Sequence, residues 1–262
     1  MAVPSSIKLQ QELGDKVQVV FVSKSDSPQE AEAFALEKKW LGTRAMWTQE
    51  PPFETGLSYI PAAVLLSSSG EVLHVGNPIE DHNKILDLIE ADAKAKEKGP
   101  KDLPDPVRKA WGEFGKGNWG KAVLAAQAVI DKPPAQDGDA AVSAAKTALE
   151  AFNKSIDARF ARVDTCVAEG LYDRALDELG AIGKAVKGHA DLTKRHAEAL
   201  AKVNGDDLKV ERDAAAALAK LEKKLYANGP EDNSCKQLEA FAEKHSGTKA
   251  GERAAHLDSL LH

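Results

Sequence analysis

One segment, residues 17–76, most constrains what this chain can fold into. Three apolar, β-rich runs in it, each bounded by turn residues, predict strands at residues 17–23, 62–66 and 71–76. Between the first two runs, the spacing of apolar residues predicts a helix at residues 28–41, with Ser27 as its N-cap and Pro28 at its first position. The segment therefore has the order strand, helix, hairpin, as in an α/β domain.

The dipeptide Ile60-Pro61 stands directly before the hairpin, after an irregular loop that follows a short predicted strand at residues 45–47. A closing helix is predicted at residues 81–95 from the stripe Ile85, Leu88 and Ile89. This order of elements, with the stretch IPAAVLLSSSGEVLHVG at its centre, resembles the thioredoxin-like fold, in particular the TlpA-like and redoxin branch of thiol-disulfide reductases. The resemblance covers roughly residues 3–93.

The resemblance gives Ile60 and Pro61 a role. In the family this peptide bond is cis, and the backbone before the proline lies beside a cysteine pair and pairs with an extended substrate like an added strand. The resemblance therefore implies a substrate groove at these two residues and a protein or peptide as the partner. Judged on the pattern alone, a trans proline at the first residue of a strand is the ordinary alternative. The family also suggests an extracytoplasmic parent protein.

Two parts of the family pattern are absent from this sequence. The family has a Cys-x-x-Cys at the head of its first helix and a central strand before it, whereas residues 4–13 correspond only to the last part of that helix. The family strand order would place the missing strand between residues 17–23 and 62–66. Three alternatives follow: the chain is a fragment of a longer product, which we favour, another segment fills the gap, or the two strands close up directly.

The second half of the chain has a different character. Residues 94–106 are charged and rich in proline and glycine, and beyond them the β signal gives way to alanine-rich helical periodicity. We therefore predict an N-terminally truncated thioredoxin-like domain at residues 1–98, a linker at 99–106 and an all-α domain at 107–262. Helices of this domain are predicted at residues 105–116, 119–130, 139–169, 171–186, 189–203, 206–227, 230–245 and 249–261.

Two turns in the helical part repeat a theme. Gly117 and Gly170 are each followed within two residues by an aromatic side chain, and Ala122 and Ala175 follow the two glycines at equal distance. Both stretches resemble the inter-helix turn of a tetratricopeptide repeat. The two alanines are 53 residues apart, however, and that repeat has a period of about 34 residues. The sequence therefore predicts either a divergent array of helical hairpins or a small helical bundle.

Composition and motifs exclude several functions. A net charge of −6 and a pI near 5.7 do not favour nucleic acid or an anionic membrane as a partner, and no apolar run is long enough for a membrane span. Residues 115–122 contain the G-x-x-x-x-G-K of a phosphate-binding loop but lack its preceding strand and the Ser or Thr that follows. His189 and His196 are interpreted as solvated helix residues. The sequence predicts no metal site and no cofactor.

The cysteines bear most directly on activity. Cys166 and Cys235 both lie in predicted helices far from the thioredoxin-like part, and we expect buried free thiols more than a disulfide. The sequence thus predicts a protein related to thiol-disulfide oxidoreductases that lacks catalytic cysteines and redox activity in this chain. The alternative is a non-catalytic protein-interaction scaffold that uses the helical domain.

Overall fold

The computed structural model describes residues 2–23, 27–42, 46–50, 56–67, 70–231 and 233–262. The strands in this part of the chain are β1 (Val20–Val22), β2 (Met46–Thr48), β3 (Ala63–Leu66) and β4 (Val72–Gly76). Its helices are α1 (Ala2–Leu13), α2 (Pro28–Glu37), α3 (His82–Lys98), α4 (Asp105–Gly115), α5 (Trp119–Asp131), α6 (Gly138–Ala168), α7 (Tyr172–Ala185), α8 (Ala190–Val203), α9 (Lys209–Asn228), α10 (Ser234–Lys244) and α11 (Lys249–Ser259). Short 3-10 turns lie at Gly14–Lys16 and Asp206–Leu208.

The ends of α2 show how local chemistry sets these bounds. Ser27 Oγ accepts a hydrogen bond from the Glu30 amide at 3.1 Å, which confirms Ser27 as the N-cap. The helix ends earlier than predicted because Lys39 takes a left-handed conformation with φ of 59°. The Trp40 amide then donates to the Ala35 carbonyl at 2.8 Å, a bond that closes helix ends of this type.

The chain divides into two compact units that are not contiguous in sequence. One contains Met1–Ala93 together with Ala216–His262, and the other contains Lys94–Ala215. The C-terminal residues thus cluster with the N-terminal α/β part, a grouping that differs from the predicted division into residues 1–98, 99–106 and 107–262. Independent folding of residues 107–262 stays a prediction.

The described residues of the first unit form two two-stranded sheets. β1 and β2 are parallel, with Phe21 opposite Trp47, and β3 and β4 form an antiparallel hairpin with Val64 opposite Val75. In the described part of the chain, β1 pairs with no strand other than β2, and β3 pairs with none other than β4. Neither direct closure of the two sheets nor a strand between them is therefore found among these residues. The thioredoxin-like fold itself stays a prediction.

The C-terminal helices of the first unit contact α2 and the residues that follow it. His256 on α11 lies 2.7 Å from the Glu32 carboxylate, and Gln29 donates to the Ser259 carbonyl at 3.5 Å. Gly42 has φ of 75° and lies against the ring of Tyr226, where an added Cβ would come within 2.4 Å of a ring carbon. These contacts attach α9 and α11 to the α/β part of this unit.

Tyr226 belongs to a small polar cluster between α9 and α11. Arg253 forms an ion pair with Glu222, and the Tyr226 hydroxyl donates to the same carboxylate at 3.3 Å. Burial raises the pKa of the Tyr226 hydroxyl, and the Glu222 charge raises it further. For Arg253, burial acts to lower the pKa, but Glu222 and Tyr226 outweigh it and the pKa is raised. The guanidinium therefore stays charged and holds the two helices together.

The second unit has a continuous apolar core. Phe152 on α6 is fully buried, and its ring stacks on Phe114 at a centroid distance of 4.3 Å and meets Trp111 edge-on at 4.8 Å. Successive helices from α4 to α8 pack against one another, and α4 also packs against α6. Trp111 and Trp119 pack against this core.

The two similar turns of the helical part have the same backbone geometry. Gly117 and Gly170 have φ of 81° and 73°, and the amide of the next residue donates to the carbonyl five residues earlier in both turns. This is the Schellman closure, which requires a left-handed residue that glycine supplies without steric cost. Ala122 and Ala175 are both fully buried, so each permits close helix approach. The hairpins α4–α5 and α6–α7 are therefore related in their turns, while the choice between an array and a bundle stays open.

Candidate functional site

The Ile60–Pro61 peptide bond is cis, as the resemblance implies. Ile60 is one of the most exposed large apolar residues, with 82% of its surface accessible, and Tyr59 before it is also exposed. Pro61 is half-buried and leads into β3. The role of Ile60 and Pro61 as a substrate groove stays a prediction.

The edge of β1 that faces away from β2 is the second element of the candidate site. The Ser23 amide donates to the Thr48 carbonyl at 2.9 Å. Because the backbone groups of successive residues point to opposite edges of a strand, those of Phe21 and Ser23 face β2. Those of Val20 and Val22 face the opposite edge, where no strand pairs with them among the described residues. Val20 and Val22 are also 48% and 41% exposed, which is high for branched residues in a strand. This edge can accept a further strand.

Gln10 is a buried polar residue that the sequence analysis missed. It is 1% exposed, and its side-chain amide donates to the Gly14 and Val17 carbonyls and accepts from the Val19 amide. The Gln10 side chain thus provides the donor and acceptor that a neighbouring strand would offer to residues 17 and 19. This pairing anchors α1 to the chain just before β1. It also explains why β1 begins at Val20, although the strand was predicted from residue 17.

β4 and the turn after it carry a half-buried histidine–carboxylate pair. The side chain of His74 is 10% exposed, and its Nε2 lies 3.0 Å from Asp81 Oδ2. Gly76 makes room for the pair, since an added Cβ would lie 2.2 Å from the Asp81 carboxylate. The hydrogen bond from His74 lowers the pKa of Asp81 although burial acts to raise it. The sequence does contain a pattern for this pair, a histidine in a strand followed by a carboxylate just before a helix. That pattern occurs too often in proteins to predict a contact between the two side chains.

The Asp81 carboxyl makes the stability of the first unit depend on pH. Since its pKa is lower in the folded chain, its contribution is present above the ordinary value of about 3.9 and is lost as the pH falls through the lower folded value. We expect the melting temperature of Asp81→Asn to fall less than that of the wild type between about pH 5 and about pH 3. Asp87→Asn, an exposed position on α3, is the control. Equal acid sensitivity of the wild type and Asp81→Asn would contradict this role.

A cavity of about 290 Å³ lies at the carboxyl ends of β1 and β2, beside the first turn of α2. Apolar side chains that include Ala31, Leu41 and Trp47 line it, together with the Glu32 carboxylate. The Trp47 ring stacks with that of Trp40 at a centroid distance of 6.0 Å and lies 4.7 Å from that of Phe21. Neither Ile60 nor Pro61 lies among the residues that line this cavity, which is therefore separate from the predicted groove.

The two cysteines are not paired with each other. Cys166 lies near the end of α6 in the second unit, and Cys235 lies in the first turn of α10 in the first unit, and both are free and half-buried. Burial raises the pKa of the Cys166 thiol, which disfavours the reactive thiolate at neutral pH. The expectation of free thiols is confirmed, although neither thiol is fully buried. Neither cysteine lies in a Cys-x-x-Cys motif.

The histidines interpreted as solvated have structural roles instead. His189 Nδ1 accepts from the Leu192 amide and caps α8, and His196 Nε2 lies 3.0 Å from the Leu179 carbonyl. An added Cβ on Gly183 would come within 2.8 Å of the His196 ring, so α7 and α8 approach closely there. The interpretation was wrong because helix spacing alone does not show that a neighbouring helix offers a carbonyl.

The phosphate-loop match at residues 115–122 lies in a helical hairpin. As predicted, the element that precedes it is a helix, α4, where a phosphate-binding loop needs a strand. None of the helices in the described part of the chain combines the length and the apolar character that a bilayer span requires.

Comparison of the chain with known protein families, curated proteins and solved structures finds no match.

Proposed function

We propose that this chain is a non-catalytic, thioredoxin-like protein-binding module, related by descent to thiol-disulfide oxidoreductases, that accepts an extended polypeptide as an added strand. The observation that carries the proposal is the edge of β1 that faces away from β2, which pairs with no strand among the described residues and lies beside exposed Val20 and Val22. Exposed strand edges with branched side chains pair readily with another extended chain. The absence of a Cys-x-x-Cys from the sequence supports the non-catalytic part.

The proposed occupant is an extended segment that is apolar on both faces. The family strand order would place it between β1 and β3, and strands in that position are covered on both faces and rich in branched apolar residues. The exposed side chains of Leu66 on β3 and of Val20 and Val22 on β1 provide apolar surface for it. Backbone hydrogen bonds would supply affinity and the side chains would supply selectivity.

A valine-rich peptide with lysines at both ends tests the proposal with the full chain. We expect saturable binding and slower amide hydrogen exchange at β1 and β3. The matched control is the same peptide N-methylated at two alternate residues, which removes two backbone donors but keeps every side chain. Since each of the two hydrogen bonds contributes about 0.5–1.5 kcal/mol, methylation should weaken binding by about 5-fold to about 150-fold.

Chain variants complete this test. Val22→Lys places a charge on the edge strand β1 and should weaken peptide binding. Val210→Lys, at a position on α9 that is 69% exposed, should not weaken it. The wild type and a Cys166→Ser, Cys235→Ser double variant should both leave the rate of insulin disulfide reduction by a thiol at background. Equal binding of the two peptides, or insulin reduction that the double variant loses, would refute the proposal.

A second candidate function is protein binding by the helical unit. The observation that favours it is the shared geometry of the turns at Gly117 and Gly170, because repeated helical hairpins often build extended binding surfaces. Exposed Leu124 on α5 is 48% accessible and provides an apolar position on this unit. If protein partners are retained by Val22→Lys but lost on Leu124→Lys, the helical unit is the binding element.

A further inference from the structure

The α10–α11 hairpin brings together three side chains that can bind a transition metal. Cys235, Asp258 and His262 place a sulfur, an oxygen and a nitrogen within 4.8 Å of one another. Cys235 and Asp258 are half-buried and His262 is exposed. We propose that these residues form a zinc-binding site that joins the start of α10 to the end of α11.

The hairpin geometry explains why residues so far apart in sequence meet. Thr248 Oγ1 caps α11 by accepting from the Gly251 amide at 3.0 Å, and Gly247 has φ of 85° in the turn. α10 and α11 pack against each other on either side of this turn. Cys235 lies 12 residues before Gly247 and Asp258 lies 11 residues after it, so equal helical rise places them at the same level.

Asp258 provides the second, independent observation. Its Oδ1 is buried and has no hydrogen-bond partner, although most buried polar atoms in proteins have one. His262 Nε2 lies 3.7 Å from this oxygen, which is too long for a hydrogen bond. Burying a carboxylate oxygen without a donor destabilises the folded chain. A bound cation would supply the missing partner.

The types of ligand point to Zn²⁺. Thiolate, imidazole and carboxylate are the ligands that zinc takes in proteins, while Mg²⁺ and Ca²⁺ prefer oxygen alone. Zinc–ligand bonds of about 2.0–2.3 Å require ligand atoms about 3.3–3.8 Å apart in a tetrahedron. Because the ligand atoms are at most 4.8 Å apart, they need to approach by no more than about 1.5 Å, and His262 is exposed enough to move. A thiolate, a carboxylate and a neutral imidazole together balance the charge of the ion.

Titration of the full chain with Zn²⁺ against a chromophoric chelator tests the site. We expect one ion per chain, and Co²⁺ bound in its place should show a thiolate-to-metal charge-transfer band. Cys235→Ser, Asp258→Asn and His262→Gln should each weaken zinc binding by about tenfold or more. Zn²⁺ should raise the melting temperature of the wild type and not that of these variants, because a ligand that binds only the folded state stabilises it.

Two matched controls keep the test specific. Cys166→Ser removes the other cysteine, and His256→Gln removes another histidine of α11, and both should bind zinc like the wild type. Far-ultraviolet circular dichroism without metal checks that every variant is folded. The proposal is overturned if the chain binds no zinc in the micromolar range, or if zinc binding survives Cys235→Ser and His262→Gln unchanged.

Discussion

Replacing Phe152 with alanine is expected to lower the free energy of unfolding of the second unit by about 3–5 kcal/mol. The side chain is 0% exposed, and its ring contacts Phe114 and Trp111 at centroid distances of 4.3 and 4.8 Å. Truncation therefore removes a large buried apolar surface and leaves a cavity that rings on α4 cannot close without moving a helix. Loss of two ring contacts adds to the cost.

Hydrogen exchange of α4 and α6 amides in the full chain measures this effect, because it reports on this unit separately. Protection of these amides should fall by two orders of magnitude or more, since each 1.4 kcal/mol corresponds to about a factor of ten. The matched control is Leu124→Ala in the same unit, where the side chain is 48% exposed and truncation should change protection little. A change in Phe152→Ala no larger than in Leu124→Ala would contradict the core position of this ring.

Alanine at Gly120 and alanine at Gly180 should change stability in opposite directions. Gly120 is buried in α5, and an added Cβ would lie 2.7 Å from the Val186 carbonyl oxygen and 2.9 Å from that of Lys187. Both contacts are with backbone atoms, which cannot move aside as the end of a flexible side chain can. We expect a loss of about 1–3 kcal/mol, despite the better helix propensity of alanine.

Gly180 on α7 is the matched control for Gly120. An added Cβ there has nothing within 4 Å, so alanine should stabilise the helix by about 0.5–1 kcal/mol. Chemical unfolding of the full chain, followed by circular dichroism, gives both signs in one experiment. Stabilisation by alanine at Gly120 would show that α5 does not approach the end of α7 as closely as the structure indicates.

Local features were predictable because they depend on neighbours in sequence. The Ser27 cap, the glycine turn at Gly117 and the bounds of most helices follow from side-chain capping, left-handed dihedral angles and the helical repeat of apolar residues. The strand positions also followed from apolar runs. The thioredoxin-like fold and the groove at Ile60 and Pro61 rest on resemblance and stay predictions.

The sequence-based interpretation failed for polar side chains whose hydrogen-bond partner lies on another helix or strand. His196 was interpreted as solvated, yet it lies against the Leu179 carbonyl of a neighbouring helix. Gln10 looked like one polar residue among several on α1, and only the structure shows its amide bonded to the backbone before β1. A periodic pattern identifies the buried face of a helix, but it does not show which polar group lies opposite.

The sequence by itself determined where helices and strands form and that no Cys-x-x-Cys is present, because hydrogen bonds within a turn and motif spacing are local properties. Only the tertiary structure decided that residues 216–262 cluster with the α/β part, through contacts such as Glu32 with His256, which lie 224 residues apart. It also brought Cys235, Asp258 and His262 together across a hairpin. Such contacts leave no periodic signal, since they depend on how packed elements meet in space.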